Sequence, residues 1–312
     1  MKCPPMTAMY IIFILSIFNI FLFFHRRQEI CSSKHLDSTI AASSGYSGGI
    51  IMNGQKQKEF VTMVQKHMVD LNSDGYISMP DIVKRVWIDI GSSKDSFLGD
   101  CSICQRVYWP HRSPMTLTQE FQQSNDLFVI AIDPNIDFYS SLSKIPRLIP
   151  IIAAVFPTEG TRAFYEYQGS GCSSLLEPNA NIDRKLAIYE WFRPCTKVTK
   201  ITGVSTLRLE TILSIIDPRL SIELLKVDAQ GVDLDVVKSA GKQLKRIDKV
   251  IIEIQLDDEK RNNSNILYKN ANSASETLEY MKANGFAFDK DQSSVENKAI
   301  EEYNYVFNKG KL

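Results

Sequence analysis

Short apolar runs rich in branched residues alternate along this chain with segments of helical periodicity. The runs have the pattern of strands buried on both faces of a sheet, and they lie at residues 86–90, 127–132, 148–155, 222–227 and 250–254. Helices are predicted at 206–216, at 234–240 and from Ser273, which opens a capping box with Glu276, to Gly285. This alternation predicts a mostly parallel sheet with helices on both faces.

The C-terminal end has a different pattern. Residues 286–290 and 303–307 flank a polar stretch and predict a closing hairpin, which adds antiparallel pairing at one edge of the sheet. The predicted fold class is therefore α/β and Rossmann-like, with a mostly parallel central sheet and a C-terminal antiparallel hairpin. Ligands of such sheets bind at the carboxyl ends of the strands.

The N-terminus contains a long apolar run. Residues 7–24 carry no charge and are followed by His25, Arg26 and Arg27. A helix of this length covers about 27 Å, close to the apolar thickness of a bilayer. A cleaved signal peptide is the rival interpretation, but its apolar region is shorter and precedes a cleavage site of small residues. We expect a tail and transmembrane anchor over 1–30, followed by a Ser- and Gly-rich flexible stem over 31–54.

The orientation of this anchor is open. By the positive-inside rule, Arg26 and Arg27 favour a cytosolic location for the body, the part of the chain after the stem. Short N-terminal tails, however, often stay in the cytosol, which would place the body in the lumen. We favour a lumenal body and a location in the ER or Golgi. The body has four cysteines, which allow either two disulfides in one of three connectivities or four free thiols: Cys101, Cys104, Cys172 and Cys195.

Composition limits the classes of partner. The chain has 312 residues with 36 Lys and Arg against 36 Asp and Glu, and 44% of its residues are hydrophobic. This is the balance of an ordinary globular protein, and it lacks the basic surplus needed to grip phosphate backbones. We therefore expect no nucleic-acid partner. The expected partners are the membrane, through the one N-terminal helix, and a small-molecule, glycan or lipid acceptor.

The segment 55–85 combines an amphipathic helix with a loop of EF-hand pattern. Oxygen-bearing residues, a glycine and a terminal acid follow the spacing of a calcium loop, with candidate ligands Asp70, Asn72, Asp74, Tyr76 and Asp81. The last position is Asp where an EF-hand has Glu, and EF-hands normally pair. The alternative is a turn rich in Asp and Asn that joins a helix to a strand.

Acidic residues follow two of the predicted strands. Asp89 and Gly91 lie at the end of the first strand, where glycine lets the backbone approach a ligand closely. Asp133 ends the next strand, in the position where nucleotide-binding β/α folds grip ribose hydroxyls. Each acid alone is more typical of a cap or turn, and together they indicate a binding site.

A third strand leads into the run LLKVDAQGVDLDVVKSAG, which begins at Leu224. This run resembles the most distinctive motif of the FkbM-type S-adenosylmethionine-dependent methyltransferases. The resemblance continues upstream through IIAAVFPTEGTRAFYEY and GCSSLL, and downstream to Glu253 and Gly285, so that a methyltransferase-like domain is expected over 86–312. It implies the class I methyltransferase form of the Rossmann-like fold and S-adenosylmethionine as cofactor.

The resemblance also implies roles for individual residues. Asp89, Gly91 and Ser92 correspond to the loop beneath the methionine part of the cofactor, and Asp133 to the acid on the ribose. Ala154, in the segment IIAAVF, is expected to line the same cofactor site.

Asp228 corresponds to the strand end that faces the transferring methyl group. Two departures from the family pattern stand out: the first turn has fewer glycines, and Gln230 stands where the family has Glu. Asp228 and His111 are the candidate general bases for a hydroxyl acceptor. The alternative for Asp228 is a residue that caps the following helix.

The stretch between Asp89 and Asp133 is longer than a crossover helix requires. It contains Cys101 and Cys104, which are candidates for a metal half-site, a redox pair or, as we favour, a structural staple. Residues 108–112 are candidates for a substrate lid.

The sequence therefore predicts a membrane-anchored methyltransferase that acts on oxygen of a carbohydrate, lipid or other small hydroxyl acceptor. Calcium is a second possible cofactor. One alternative is an NAD-dependent oxidoreductase, which the turn after Gly91 disfavours because it lacks the three glycines of a dinucleotide loop. Another is a non-catalytic, membrane-tethered interaction domain.

Overall fold

The computed structural model describes residues 69–99, 101–109, 115–180, 190, 193–255, 267–297 and 302–310. The predictions for the anchor at 7–24, the stem at 31–54, the helix that begins at 55 and His111 lie outside the described residues. Within the described ranges, no helix has both the length and the apolar character needed to cross a bilayer.

The described residues form ten strands and five α-helices. The strands are β1 (Arg85–Ile90), β2 (Leu127–Ile132), β3 (Leu148–Ile151), β4 (Ala154–Val155), β5 (Gly160–Tyr167), β6 (Val198–Leu207), β7 (Ser221–Val227), β8 (Ile247–Gln255), β9 (Phe286–Asn297) and β10 (Glu302–Lys309). The helices are α1 (Leu117–Gln123), α2 (Tyr139–Leu142), α3 (Leu209–Ser214), α4 (Asp233–Lys238) and α5 (Ala274–Ala283).

Seven strands make one sheet in the order β3-β2-β1-β7-β8-β10-β9. The neighbours from β3 to β8 are parallel, and β10 is antiparallel to both β8 and β9. The chain moves outward from β1 through β2 to β3 and then returns beside β1 as β7, so that the strand order reverses between β1 and β7. The predicted fold class and its C-terminal hairpin are confirmed.

The two faces of the sheet carry different parts of the core. Val86, Ile88 and Ile90 of β1 point to one face, and Trp87 points to the other, as the two-residue period of a strand requires. The ring of Phe97 lies 5.3 Å from that of Trp87, so the long insertion after β1 covers this face.

The predicted substrate lid spans 108–112, of which the structure describes Tyr108 and Trp109. Trp109 is buried in the core cluster beneath the sheet, and only Tyr108 of the predicted lid residues that the structure describes is exposed.

Two elements differ from their predictions. The run 148–155 forms two strands instead of one, because β3 ends the large sheet while β4 pairs with β6 in a separate three-stranded sheet. Thr206 and Leu207, predicted as the start of a helix, end β6, whose β-branched residues favour a strand. The hairpin of β5 and β6 was not predicted from the sequence.

The four body cysteines form two disulfides. Cys101 pairs with Cys104, and Cys172 pairs with Cys195 across 23 positions of sequence. The first pair lies within the insertion, and its disulfide is compatible with both the structural staple and the redox pair, so the role of a staple stays a prediction.

Candidate functional site

Three strand ends meet at one rim of the large sheet. Asp89 is the penultimate residue of β1, and Asp133 and Asp228 directly follow β2 and β7, the two neighbours of β1. The backbone N–H of Asp228 donates to the carbonyl of Ile90 at 3.0 Å, which extends the strand pairing to the rim itself. The structure therefore brings together the three acids that the sequence placed at strand ends.

Gly91 is the point of closest backbone approach at this rim. Its φ is +74°, and a Cβ at this position would lie 1.8 Å from the carbonyl oxygen of Asp228. Its N–H donates to the carbonyl of Ile132 at 2.8 Å, so the turn is fixed to both neighbouring strands. Only glycine fits here, because both the positive φ and the absence of a side chain are required.

Asp89 faces the interior of the rim. It is 1% exposed, accepts a hydrogen bond from Ser96 Oγ at 2.6 Å and lies 3.4 Å from Lys226 Nζ. Its carboxylate holds these two groups and lines neither of the cavities described below. Its direct contact with a cofactor stays a prediction.

Asp133 is held at the rim by two backbone donors. The N–H groups of Ser93 and Asn135 donate to its two carboxyl oxygens at 3.0 and 2.8 Å. Burial raises the pKa of Asp133 to about 6, and the charges of Asp89 and Asp228 add to that effect while the two hydrogen bonds oppose it. The carboxyl group is therefore oriented, buried and close to its titration point at neutral pH.

A cavity of about 710 Å³, part of it open to solvent, lies above these strand ends, and we call it the rim cavity. Gly91, Asp133 and Asp228 line it, together with residues 153–155 and most of the segment 170–175. Phe138 and Phe164 add aromatic surface. The predicted site residue Ala154 is therefore part of this cavity.

A second cavity of about 660 Å³ lies on the other side of the turn after β1, and we call it the loop cavity. The two cavities share Gly91, Ser93 and Asp228. Ser92 lines the loop cavity, and its buried hydroxyl has no hydrogen-bond partner among the described residues. The predicted site residue Ser92 thus offers a polar atom to this second cavity, not to the first.

Asp228 lies where the two cavities meet, with its side chain 31% exposed. Burial acts to raise its pKa, but Lys226 Nζ, 3.4 Å from its Oδ2, and hydrogen bonds from Glu253 and Gln230 outweigh burial and lower the pKa. Burial acts to lower the pKa of Lys226, but the negative charges of Asp89 and Asp228 outweigh burial, and the pKa is raised. Asp228 is therefore an ionised, partly exposed carboxylate in the walls of both cavities.

The buried acid that holds the turn after β7 is Asp233, not Asp228. The carboxyl group of Asp233 accepts from the N–H groups of Ala229 and Gly231 at 2.6 and 2.9 Å. Burial raises the pKa of Asp233 to about 7. Because Asp233 satisfies the turn, and the residue preceding α4 makes no side-chain cap, the alternative role of Asp228 as a helix cap is not observed.

The sequence analysis did not assign a site role to several residues of this rim. Lys226 lies on β7 two positions before Asp228, which directly follows the strand, so the period-two pattern could have placed both on one side. No such sequence signal marks Ser93, Tyr268 or the segment 170–175, because their places at the rim depend on the three-dimensional fold.

The predicted calcium loop is a compact turn. Asn72 Oδ1 accepts from the N–H groups of Asp74 and Tyr76, both at 3.0 Å, and the chain leads into β1 without an exiting helix. Across the described part of the chain, no cluster of three or more His, Cys, Asp or Glu side chains could hold a metal ion. The structure therefore gives the predicted ligands Asp70 and Asp81 no assembled metal site.

The order of the strands, the inserted antiparallel β10 and the rim cavity together define a Rossmann-like class I methyltransferase fold. The model of the Methyltransferase FkbM domain matches residues 113–288, more than half of the chain, and the chain belongs to this family. The matched range includes Asp133, Asp228 and Glu253 and begins after Asp89 and Gly91.

Comparison with other proteins adds little to this assignment. The solved structure of the fibrillarin pre-rRNA processing protein of Methanococcus jannaschii is similar at 12% identity over 88% of each chain, with a TM-score of 0.35. So distant a likeness carries no argument about this chain. No curated protein matches it.

Proposed function

We propose that this chain is a membrane-anchored, S-adenosylmethionine-dependent methyltransferase that methylates an oxygen of a carbohydrate, lipid or other small hydroxyl-bearing acceptor. The observation that carries the proposal is the Asp133 carboxylate, which two backbone donors aim at the rim cavity beside the Gly91 turn. Membership of the FkbM methyltransferase family supports the reaction class.

The residues of the rim cavity fit the cofactor. Asp133 offers carboxylate oxygens to a pair of ribose hydroxyls, and residues 153–155 with Phe164 offer apolar surface to an adenine ring. The two cavities share Gly91, Ser93 and Asp228 in their walls, and Ser92 offers a hydroxyl on the side of the loop cavity. The two cavities would hold the nucleoside and the amino-acid end, respectively.

When bound, S-adenosylmethionine supplies a methyl group on a sulfonium, which an oxygen nucleophile attacks in line. This chain then has two tasks: to align the acceptor and to receive its hydroxyl proton. Asp228 is ionised and borders both cavities, and we assign it the role of base. His111, the other predicted base, lies outside the described residues and remains a candidate for the acceptor side.

Ligand-dependent thermal unfolding of the purified protein tests the proposal. S-Adenosylhomocysteine at about 100 times its Kd should add about 2.7 kcal/mol of stability and raise the melting temperature by roughly 5 to 10 °C. NAD should cause no shift. Stabilisation by NAD alone would favour the oxidoreductase alternative, and stabilisation by neither ligand would favour a non-catalytic domain.

The pH dependence of S-adenosylhomocysteine binding tests the role of Asp133. Ribose hydroxyls donate to the ionised carboxylate, so protonation of Asp133 removes their acceptor. Because its pKa in the free protein is about 6, affinity measured by calorimetry should be constant above about pH 7 and fall up to tenfold per unit below about pH 6. Asp133→Asn should bind more weakly and lose this dependence. The same profile in both proteins would remove Asp133 from the ribose site.

The proposed location is the secretory membrane system, with a lumenal body. The support is the uncharged run 7–24 in the sequence and the two disulfides, because disulfides form and persist in oxidising compartments. Calcium is not part of the proposed function.

A further inference from the structure

Gln230 connects the carboxyl groups of Asp228 and Glu253, which both line the loop cavity. Its amide Nε2 lies 2.9 Å from Asp228 Oδ1 and 2.6 Å from Glu253 Oε2, so one amide group donates to both acids. Its backbone has a φ of +53°, unusual for a residue other than glycine, and the turn holds the side chain in this position. The amide is therefore built into the site.

Tyr268 fixes the orientation of this amide. Its buried hydroxyl lies 2.6 Å from Gln230 Oε1 and 2.8 Å from the carbonyl oxygen of Cys172, and its single hydrogen is shared between these two acceptors. Since the hydroxyl occupies the amide oxygen, the NH₂ group must face Asp228 and Glu253. A carboxylate at position 230 would accept from Tyr268 equally well but would have no donor for the two acids.

The two acids lie close enough together for one amide nitrogen to reach both, and they differ in surroundings. Asp228 has Lys226 beside it, whereas Glu253, on β8, faces the charges of Asp228, Asp233 and Glu302. Burial raises the pKa of Glu253 well above its usual value, and the charge of Asp228 raises it further. Glu253 therefore keeps its proton while Asp228 is ionised.

The other charges around Asp228 do not change this distribution. Asp89 lies on the far side of Lys226, and Asp133 belongs to the rim cavity with a pKa of about 6. Lys226 thus forms ion pairs with both Asp89 and Asp228. The amide of Gln230 is an uncharged donor that forms hydrogen bonds with both Asp228 and Glu253.

We propose that Gln230 is a positioning residue that holds Asp228 and Glu253 as a pair sharing one proton, so that Asp228 is the member free to accept the acceptor's hydroxyl proton. This rests on the proposed function. As the acceptor oxygen bonds to the methyl carbon, its proton passes to Asp228, and the electron pair of the broken carbon–sulfur bond stays on sulfur. Because Glu253 is already protonated, the pair carries one negative charge, on Asp228, and the acceptor's proton neutralises that charge.

Infrared spectroscopy of the purified full-length protein tests the shared proton without any acceptor. At about pH 8, acids with a pKa of about 6 and about 7, Asp133 and Asp233, are mostly ionised, and a protonated carboxyl stretch should remain. Glu253→Gln should remove that stretch. The exposed Glu279→Gln on α5 is the matched control and should leave it unchanged.

Variants at position 230 test the positioning role. Gln230→Glu places a third carboxyl group between the two acids and should add a second protonated stretch at about pH 8, since the three charges cannot coexist. Tyr268→Phe keeps the aromatic ring and removes the hydroxyl, and it should shift the frequency of the Glu253 stretch because the amide is no longer fixed. This second variant keeps the test valid if Gln230→Glu fails to fold.

The outcomes separate this inference from the proposed function. No protonated carboxyl in the wild type at about pH 8, or a stretch unaffected by both Gln230→Glu and Tyr268→Phe, would overturn the inference. Calorimetry with S-adenosylhomocysteine is run on the same samples. Absence of binding by the wild type would overturn the methyltransferase proposal while the shared proton, if seen, would stand as a structural fact.

Discussion

Replacing Gly91 by alanine should lower the free energy of unfolding by about 4 kcal/mol and abolish S-adenosylhomocysteine binding. The added Cβ would lie 1.8 Å from the carbonyl oxygen of Asp228, and a backbone atom cannot rotate away as a side chain can. The end of β7 would have to separate from the turn after β1, which breaks the hydrogen bond from Asp228 N to Ile90 O. Chemical denaturation and calorimetry measure both effects.

Gly75→Ala is the matched control for this substitution. Gly75 also has a positive φ, +84°, but a Cβ there would meet no atom within 4 Å. It should therefore show only the backbone strain, about 1 kcal/mol, with no effect on ligand affinity. If Gly91→Ala were no more harmful than Gly75→Ala, the close approach of the two strand ends would be irrelevant to stability and binding.

The rim of carboxylates was predictable because it follows from strand periodicity. An apolar run that ends in an acid places that acid at a carboxyl edge, and parallel strands bring such edges together, as they do for Asp133 and Asp228. The sequence could not give the state of each acid. Asp228 and its neighbour Glu253 differ in the direction of their pKa shifts. This difference depends on how far Lys226 and Gln230 lie from the two carboxyl groups, and only the folded chain fixes those distances.

The cover of the rim cavity was not predictable in the same way. The segment 170–175 reaches the cavity because β5 and β6 form a hairpin in a second sheet, and that hairpin was missed. Likewise the capping box of Ser273 and Glu276 is local and was confirmed, whereas the bond from Tyr268 to Gln230 joins positions 38 apart. Local chemistry can be derived from spacing, while contacts between distant segments need the topology.

Removal of the Cys172–Cys195 disulfide should weaken both the fold and the site. The bridge joins positions 23 apart, and loop-closure entropy predicts a loss of about 3 kcal/mol for Cys172→Ala with Cys195→Ala. Ser170, Gly171, Ser173 and Ser174 around this bridge line the rim cavity. A loosened wall must be ordered again on binding, so S-adenosylhomocysteine affinity should fall about tenfold.

The other disulfide provides the comparison for this prediction. Cys101 and Cys104 are 3 positions apart, and Cys101 borders the loop cavity only. Their double alanine variant should lose less stability, about 2 kcal/mol, and keep its affinity within about threefold. Equal loss of affinity in both variants would mean that disulfides act through general stability. A selective loss in the Cys172 and Cys195 variant would instead show that ligand binding depends on a bridge that a reducing compartment would open.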